Sequence, residues 1–491
     1  MTLFHNRFQS LCRRFGERPL LDDDLFGSYS INESYELSLF VAKSLLKQGW
    51  KVGEAMLIKA TRNASTTILL YATQIIGVIA FPVDPRIDSC ELEKIDPRIK
   101  GFAYQSDAED IRVWNLIHDG KENTLEIPES AEGEEDFSGV SYQENSDALW
   151  VLTSGSEGAF KIVRHSQETL FSHFERYETP SSCDEKDCGI VLLPLFHVFG
   201  LALILYPIHT GFSLYFPKNL DLDYIIDSVI AKKVTYLDAV PSFHYVVAKR
   251  VQERGIHFTD LRNGLTAGAP MEESRFREIE QTLGMKLLPV YGASEIITIS
   301  ALGEKASQER RRMTVGQLLP GTDIKILDEN GKALGIGQAG EIVVRSPSLM
   351  LGYLGEDTGL DEEGFFATGD IGYLDENADL HITGRKKQII IRNGNNLSAV
   401  EIENRLLRLE GVEYACVVGL PDEAAGEVPG ALLVLKEGAK KEDIRPLIEK
   451  ELPKNLWPDT LEFLEKMPQL ASGKTDRVRV KEILLKIKKS R

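Results

Sequence analysis

Short apolar runs alternate with amphipathic stretches along this chain, and that alternation predicts an α/β architecture. Over residues 34–50, Leu37, Phe40, Val41, Leu45 and Leu46 recur at helical spacing and stop at Gly49, so a helix is expected. Residues 55–58 read as a buried strand, 68–77 as a second helix and 78–83 as a second strand. Residues 126–147 break the pattern: they are acidic, Ser-containing and poor in large apolar side chains, which predicts an exposed connection. A second α/β stretch runs from Asp187 to about Ser300, and a strand-rich segment follows at 322–327, 340–345 and 380–383. After it come a helix near 400–409, strands at 415–418 and 431–435, a helix near 443–452 and a basic final helix. The expectation is an α/β fold: a large N-terminal domain of several subdomains over residues 1–384, and a small mobile C-terminal α+β domain over 385–491.

Composition narrows this picture. At 491 residues the chain exceeds one ordinary core. A hydrophobic fraction of 43% and a mean hydropathy of -0.17 place it among globular proteins. A net charge of -18 argues against a general nucleic-acid binder, which needs a basic footprint. Five scattered cysteines (Cys12, Cys90, Cys183, Cys188, Cys416) fit a reducing cytoplasm, and Cys183 and Cys188 lack nearby His or Cys partners for a metal. Arg7, Arg13, Arg14 and Glu17 interrupt any N-terminal apolar core of a signal peptide. The most membrane-like stretch, 191–216, contains Pro194, His197, Pro207, His209 and two glycines, so a buried strand-loop-helix segment is expected instead of a span.

Five places carry candidate chemistry. Residues 153–161 read Thr-Ser-Gly-Ser-Glu-Gly-Ala-Phe-Lys between two strand-like segments. Gly155 and Gly158 let the backbone approach phosphate oxygens, the hydroxyls of Thr153, Ser154 and Ser156 donate, and Lys161 adds charge. It is not a Walker loop, and alone it reads equally as a hydrophilic hairpin. Tyr291-Gly-Ala-Ser-Glu295 follows a buried strand; Glu295 offers oxygen to a hard cation, or the segment is only a turn. Asp370 and Arg385 combine a carboxylate acceptor with directional donors, suited to vicinal ribose hydroxyls or to a surface ion pair. Lys474 sits after Gly473 with Arg477 beyond, unlike the solvated Lys481, Lys486, Lys488 and Lys489. His197, among Phe and Leu, is either a pocket residue or a hydrogen-bonded core histidine.

In order and spacing these segments resemble the acyl-adenylate-forming (AMP-binding) superfamily of acyl- and aryl-CoA synthetases, adenylation domains and luciferases, over nearly the whole chain. The resemblance implies an ATP- and Mg²⁺-dependent acid–thiol ligase that makes an acyl-AMP and then a thioester with coenzyme A. It also implies residue roles. Thr153, Ser154, Gly155, Ser156, Gly158 and Lys161 would cradle the triphosphate, Tyr291 would stack on adenine, and Gly292 and Ser294 would lie at the nucleotide. Glu295 would hold Mg²⁺, and Asp370 and Arg385 the ribose. Lys474 would serve charge developing at the α-phosphate, with Lys161 and Glu295 as further catalytic groups. Gly268 and Ala269 would lie against adenine, and Gly268, His197 and Ala293 would line the acyl pocket. Lys387 would be the hinge, and residues 393–396 part of a thiol tunnel. The chain departs from the common pattern at Glu157, Phe160, Ser294 and Gln388. A carboxylate at 157 repels a triphosphate unless it points outward or meets Mg²⁺. Two alternatives stay open: transfer to a carrier protein's phosphopantetheine, and a nucleotide-binding pseudoenzyme. The substrate that the resemblance implies is a small carboxylic acid.

Overall fold

The computed structural model describes residues 1–87, 92, 94–105, 111–131, 137, 140–154, 160–269, 271–356, 358–393, 395–423, 425–470 and 475–490. Its centre follows from local sequence. In helix Ala64–Ile76 the Asn63 side chain accepts from the Thr66 N–H, Gly77 ends the helix at φ 71°, and every helical residue is buried. A helix with no charged residue and no solvent face belongs between layers. The parallel strands Ala55–Lys59 and Ile79–Val83 are buried almost throughout, as strands covered on both faces must be.

Among the described residues four sheets form. An eight-stranded sheet runs from Gly352–Tyr353 through the hairpin Phe160–Ser166 and Asp147–Ser154 to the Ile79–Val83 and Ala55–Lys59 strands and beyond. A nine-stranded sheet places Lys286–Tyr291, Asn263–Thr266, Tyr236–Leu237 and Cys188–Ile190 side by side, all parallel. A four-stranded antiparallel sheet holds Asp323–Leu327, Gly340–Arg345, Phe366–Leu374 and Leu380–Arg385. The fourth joins Asn395–Ser398, Ile389–Arg392, Gly426–Leu435, Val412–Asp422 and Thr460–Phe463. That last sheet has its own core. Ile402 and Leu406 pack with Ile444 and Ile448 against Ala431 and Leu433, while Val480 and Leu484 of helix Arg477–Ser490 pack against Val428 and Leu432. The alternation along one strand shows that helices cover both faces.

Most expected elements are present with shifted ends. The first amphipathic helix spans Ile31–Lys47 and starts earlier than its apolar spacing suggests, because Ser30 and Glu33 form a capping box. The 191–216 stretch folds into helices Val198–Leu205 and Pro207–Thr210 and strand Ser213–Phe216. Among the described residues no helix is long and apolar enough to cross a membrane. Unforeseen is an antiparallel meander at the sheet edge, Ile99–Tyr104, Val113–His118 and Lys121–Glu126. The connection after it is tethered, since Ile127 and Phe137 are buried.

Among the described residues, two polar contacts help to join the C-terminal sheet to the rest. Ser398 Oγ donates to the Thr383 carbonyl at 2.9 Å. The Arg275 guanidinium lies between the rings of Tyr245 (4.7 Å) and Tyr414 (5.1 Å) and donates to the Glu413 carbonyl.

Candidate active site

The site begins along the carboxyl-end edge of the parallel strands of the nine-stranded sheet. Neighbouring parallel strands end together, and their carboxyl ends lead into candidate residues. Lys286–Tyr291 delivers Tyr291 and the turn to Glu295, Asn263–Thr266 leads to Gly268 and Ala269, and Cys188–Ile190 leads to His197. Gly268 and Ala269 are exposed. His197 stands at the start of helix Val198–Leu205, its ring 4.7 Å from that of Phe196.

Tyr291 connects this edge to the four-stranded sheet. Its hydroxyl donates to Asp370 Oδ2 at 2.7 Å, and Arg385 Nε donates to Asp370 Oδ1 at 2.6 Å. Asp370 and Arg385 face each other across the Phe366–Leu374 and Leu380–Arg385 pair, which is why a carboxylate and a guanidinium fifteen positions apart meet. The carboxylate is buried, whereas the Arg385 side chain is 57% exposed and keeps donors available. Burial, and after it the Asp370 charge, hold the Tyr291 hydroxyl well above its usual pKa, so it remains a donor.

The turn after Tyr291 is sterically exacting. A Cβ on Gly292 would lie 1.8 Å from the Ile297 carbonyl oxygen, so only glycine fits. The Ser294 carbonyl accepts from His165 Nε2 at 2.8 Å. Burial pushes the His165 pKa down to about 4, so the ring is neutral with its proton on Nε2, since a carbonyl only accepts. His165 therefore pins the turn to the Phe160–Ser166 strand. Ala293 accepts through its carbonyl from the Ile297 N–H at 2.8 Å, closing the turn.

Glu295 and Lys161 meet through a residue absent from the sequence reading. Tyr353 OH donates to Glu295 Oε1 at 2.7 Å, and Lys161 Nζ lies 4.5 Å from the centre of the same ring. Tyr353 reaches this place because Gly352–Tyr353 pairs with Arg164 and Val163. Lys161 also pairs with Glu356 at 2.5 Å. Within the hairpin, Thr153 faces Lys161 and donates to its carbonyl at 3.3 Å, and Ser154 pairs with Phe160, whose ring is 60% exposed. The two expected flanking strands are thus present, whereas Gly155, Ser156, Glu157 and Gly158 lie outside the described residues.

Lys474 also lies outside them. Its surroundings are visible: Gln469 and Thr475 bridge, and the Asp476 N–H donates to the Pro468 carbonyl at 2.9 Å. Arg477 is fixed by Glu403 at 2.8 Å and by the Val417 carbonyl at 2.9 Å, which ties this turn to the C-terminal core. Lys387 is exposed in a single 3₁₀ turn, Lys386–Gln388. Among the described residues no three His, Cys, Asp or Glu side chains converge to hold a metal ion. Glu295 suits Mg²⁺ only if phosphate oxygens complete the shell.

Comparison with known proteins agrees with this layout. The AMP-binding enzyme family matches residues 8–354, and the AMP-binding enzyme C-terminal domain matches 401–474. The chain belongs to the AMP-binding enzyme family. Among its relatives, the 2-succinylbenzoate–CoA ligase of Bacillus pumilus is 28% identical over 467 residues, covering 92% of this chain and 91% of that protein. An acyl-CoA ligase of Penicillium expansum is 31% identical over 360 residues, covering 68% of this chain and 74% of that protein. The fold is similar to ATP-bound MatB from Rhodopseudomonas palustris, with TM-score 0.87 at 24% identity and 99% and 100% of the two chains covered.

Proposed function

We propose that this chain is an AMP-forming acid–thiol ligase that activates a carboxylic acid with ATP and passes the acyl group to coenzyme A. The observation that carries the reading is the bonded group Tyr291–Asp370–Arg385, set beside the Lys161–Tyr353–Glu295 chain. Each Asp370 oxygen already accepts one donor and keeps a lone pair for a ribose hydroxyl. The Tyr291 hydroxyl bond fixes the ring against which adenine would stack. Lys161 would exchange Glu356 for the triphosphate, and Glu295, oriented by Tyr353, would hold Mg²⁺, which supplies charge neutralisation at the phosphates when bound.

In the first half-reaction a carboxylate oxygen of the acid bonds to the α-phosphorus and the bond to the pyrophosphate oxygen breaks. Lys474 is assigned to the charge developing there. In the second, the thiol sulfur bonds to the acyl carbon, AMP departs as the leaving group and the thiol proton passes to solvent. The division into residues 1–384 and 385–491 with a hinge at Lys387 belongs to the same reading. So does a cytoplasmic location, where ATP and coenzyme A are supplied.

The test is acid-dependent ATP–pyrophosphate exchange, followed by a thiol-acceptor assay. Lys474→Ala should lower exchange by about a hundredfold or more while sparing thioester formation from supplied acyl-AMP. Near-normal exchange in that variant would remove Lys474 from the chemistry. Transfer to carrier-protein phosphopantetheine but not to coenzyme A would replace the acceptor.

A further inference from the structure

Of the four adjacent parallel strands at the site, three lead into the residues discussed above. The fourth, Tyr236–Leu237, lies between Cys188–Ile190 and Asn263–Thr266 and is followed by Asp238. At the usual strand spacing Asp238 is about 5 Å from the chain entering Gly268 and about 10 Å from the Tyr291 strand. That is the reach of an acyl tail extending from an adenylate.

Asp238 is 5% exposed, and Oδ1 accepts from the Leu265 N–H at 2.8 Å. Among the described residues no other hydrogen bond and no ion pair reaches the carboxyl. Burial pushes its pKa up to about 7 against that one N–H. Burying an unpaired carboxylate is costly, and packing alone is served better by an apolar residue. Tyr236 lies two residues earlier, on the same face, and its hydroxyl donates to the Ser181 carbonyl at 2.6 Å. Helix Gln167–Ser181 therefore covers this face. On that helix, burial and then the Asp238 charge hold the Tyr177 hydroxyl well above its usual pKa. His173 stacks on Tyr177 at 5.4 Å, and its buried Nδ1 has no hydrogen-bond partner among the described residues. A carboxyl with a single hydrogen bond and no counter-ion, and an orphan ring nitrogen, are polar groups that a polar ligand would satisfy.

Resting on the ligase reading above, we infer that Asp238 is a specificity residue of the acyl pocket, selecting carboxylic acids whose far end carries a hydrogen-bond donor, a hydroxyl or an ammonium. A second anionic group, as in the 2-succinylbenzoate of the relative's name, meets Asp238 as like charge and is selected against.

The experiment measures ATP–pyrophosphate exchange with acids matched in length and differing only at the far end. One series is hexanoate, 6-hydroxyhexanoate, 6-aminohexanoate and adipate; the other is 3-phenylpropanoate with hydrogen, hydroxyl, aminomethyl or carboxylate at the para position. Wild type should prefer a hydroxyl- or ammonium-ended acid over its apolar counterpart by about tenfold or more in kcat/KM, with the diacid poorest. Asp238→Asn should keep a hydroxyl preference and lose an ammonium preference, which separates the two donors. Asp238→Leu should reverse the order toward the apolar acid, with a thermal midpoint confirming the fold. A wild type that favours the apolar acid or the diacid, or a ranking unmoved by Asp238→Leu, overturns the Asp238 assignment alone. Absence of exchange with every acid in both series counts instead against the ligase reading.

Discussion

The Tyr353 hydroxyl donates to Glu295 at 2.7 Å while the ring of the same tyrosine lies 4.5 Å from Lys161 Nζ. One aromatic side chain thus orients an acid from the turn after Tyr291 and a base from strand Phe160–Ser166. Burial, and then the Glu295 charge, hold its hydroxyl far above the usual phenol range, so it stays a donor. A carboxylate oriented this way needs little reorganisation to meet a cation.

Tyr353→Phe removes the hydroxyl and keeps the ring. We expect about a tenfold loss in exchange kcat with a raised Mg²⁺ requirement and little change in KM for the acid, because only Glu295 loses a partner. Tyr353→Leu removes both contacts and should add a rise in KM for ATP through Lys161. A Mg²⁺ dependence identical to wild type in both variants would show that Tyr353 does not position Glu295.

Gly292 tests the turn itself. A Cβ there would sit 1.8 Å from the Ile297 carbonyl oxygen, a contact that backbone must yield to relieve. Gly292→Ala should cost about 2 kcal/mol or more of stability and reduce exchange more than tenfold, since Tyr291 and Glu295 flank the shifted peptide. A thermal midpoint within a degree of wild type would contradict this geometry.

Acid sensitivity follows from three buried histidines. Burial lowers the pKa of His165 and His244 from 6.5 to about 4, and that of His173 to about 3. The unfolded chain binds protons first as pH falls, so stability is full above about 6.5 and is lost progressively toward 4, by roughly 3–5 kcal/mol per histidine at most. Asp238, raised from 3.8 to about 7, acts oppositely and loses stability as pH rises through that window. The histidines outnumber it, so the thermal midpoint should fall from pH 6.5 to pH 4. His165→Gln should make that fall shallower, and Asp238→Asn should raise stability more at pH 8 than at pH 4. A midpoint flat across the window would rule out neutral buried rings.

Much of this site was legible because its chemistry is local in sequence. Asp370 and Arg385 stand out by their glycine-flanked strands, and the hairpin around Lys161 by hydroxyls between two apolar runs. The bonds joining these pieces were not legible. Tyr353 meets Val163 through a strand pairing across distant segments, and His165 reaches Ser294 between sheets. Neither contact leaves a periodic or spacing signal. The meander over Ile99–Tyr104, Val113–His118 and Lys121–Glu126 has another reason: its first two strands carry apolar residues on both faces, so no clean alternation marks them, and Lys121–Glu126 holds one buried residue, Leu125. Asp238 gives no signal of its own, since a lone Asp in an apolar run looks like a strand end.

Lys387 offers the sharpest test of motion under the proposed function. Adenylation and thiol attack require different groups of the C-terminal unit at one acyl carbon, so the unit must turn between them. Lys387 sits in the short 3₁₀ turn between strands Leu380–Arg385 and Ile389–Arg392, a backbone whose φ a proline ring tolerates. Lys387→Pro should therefore fold in the present arrangement, held also by Arg275 between Tyr245 and Tyr414, yet resist reorientation. We expect pyrophosphate exchange to stay within about threefold of wild type while thioester formation falls by about a hundredfold. Arg275→Ala releases the other restraint and should leave both half-reactions running, with faster proteolysis near Lys386. Equal losses of the two half-reactions in a folded Lys387→Pro protein would place the hinge elsewhere.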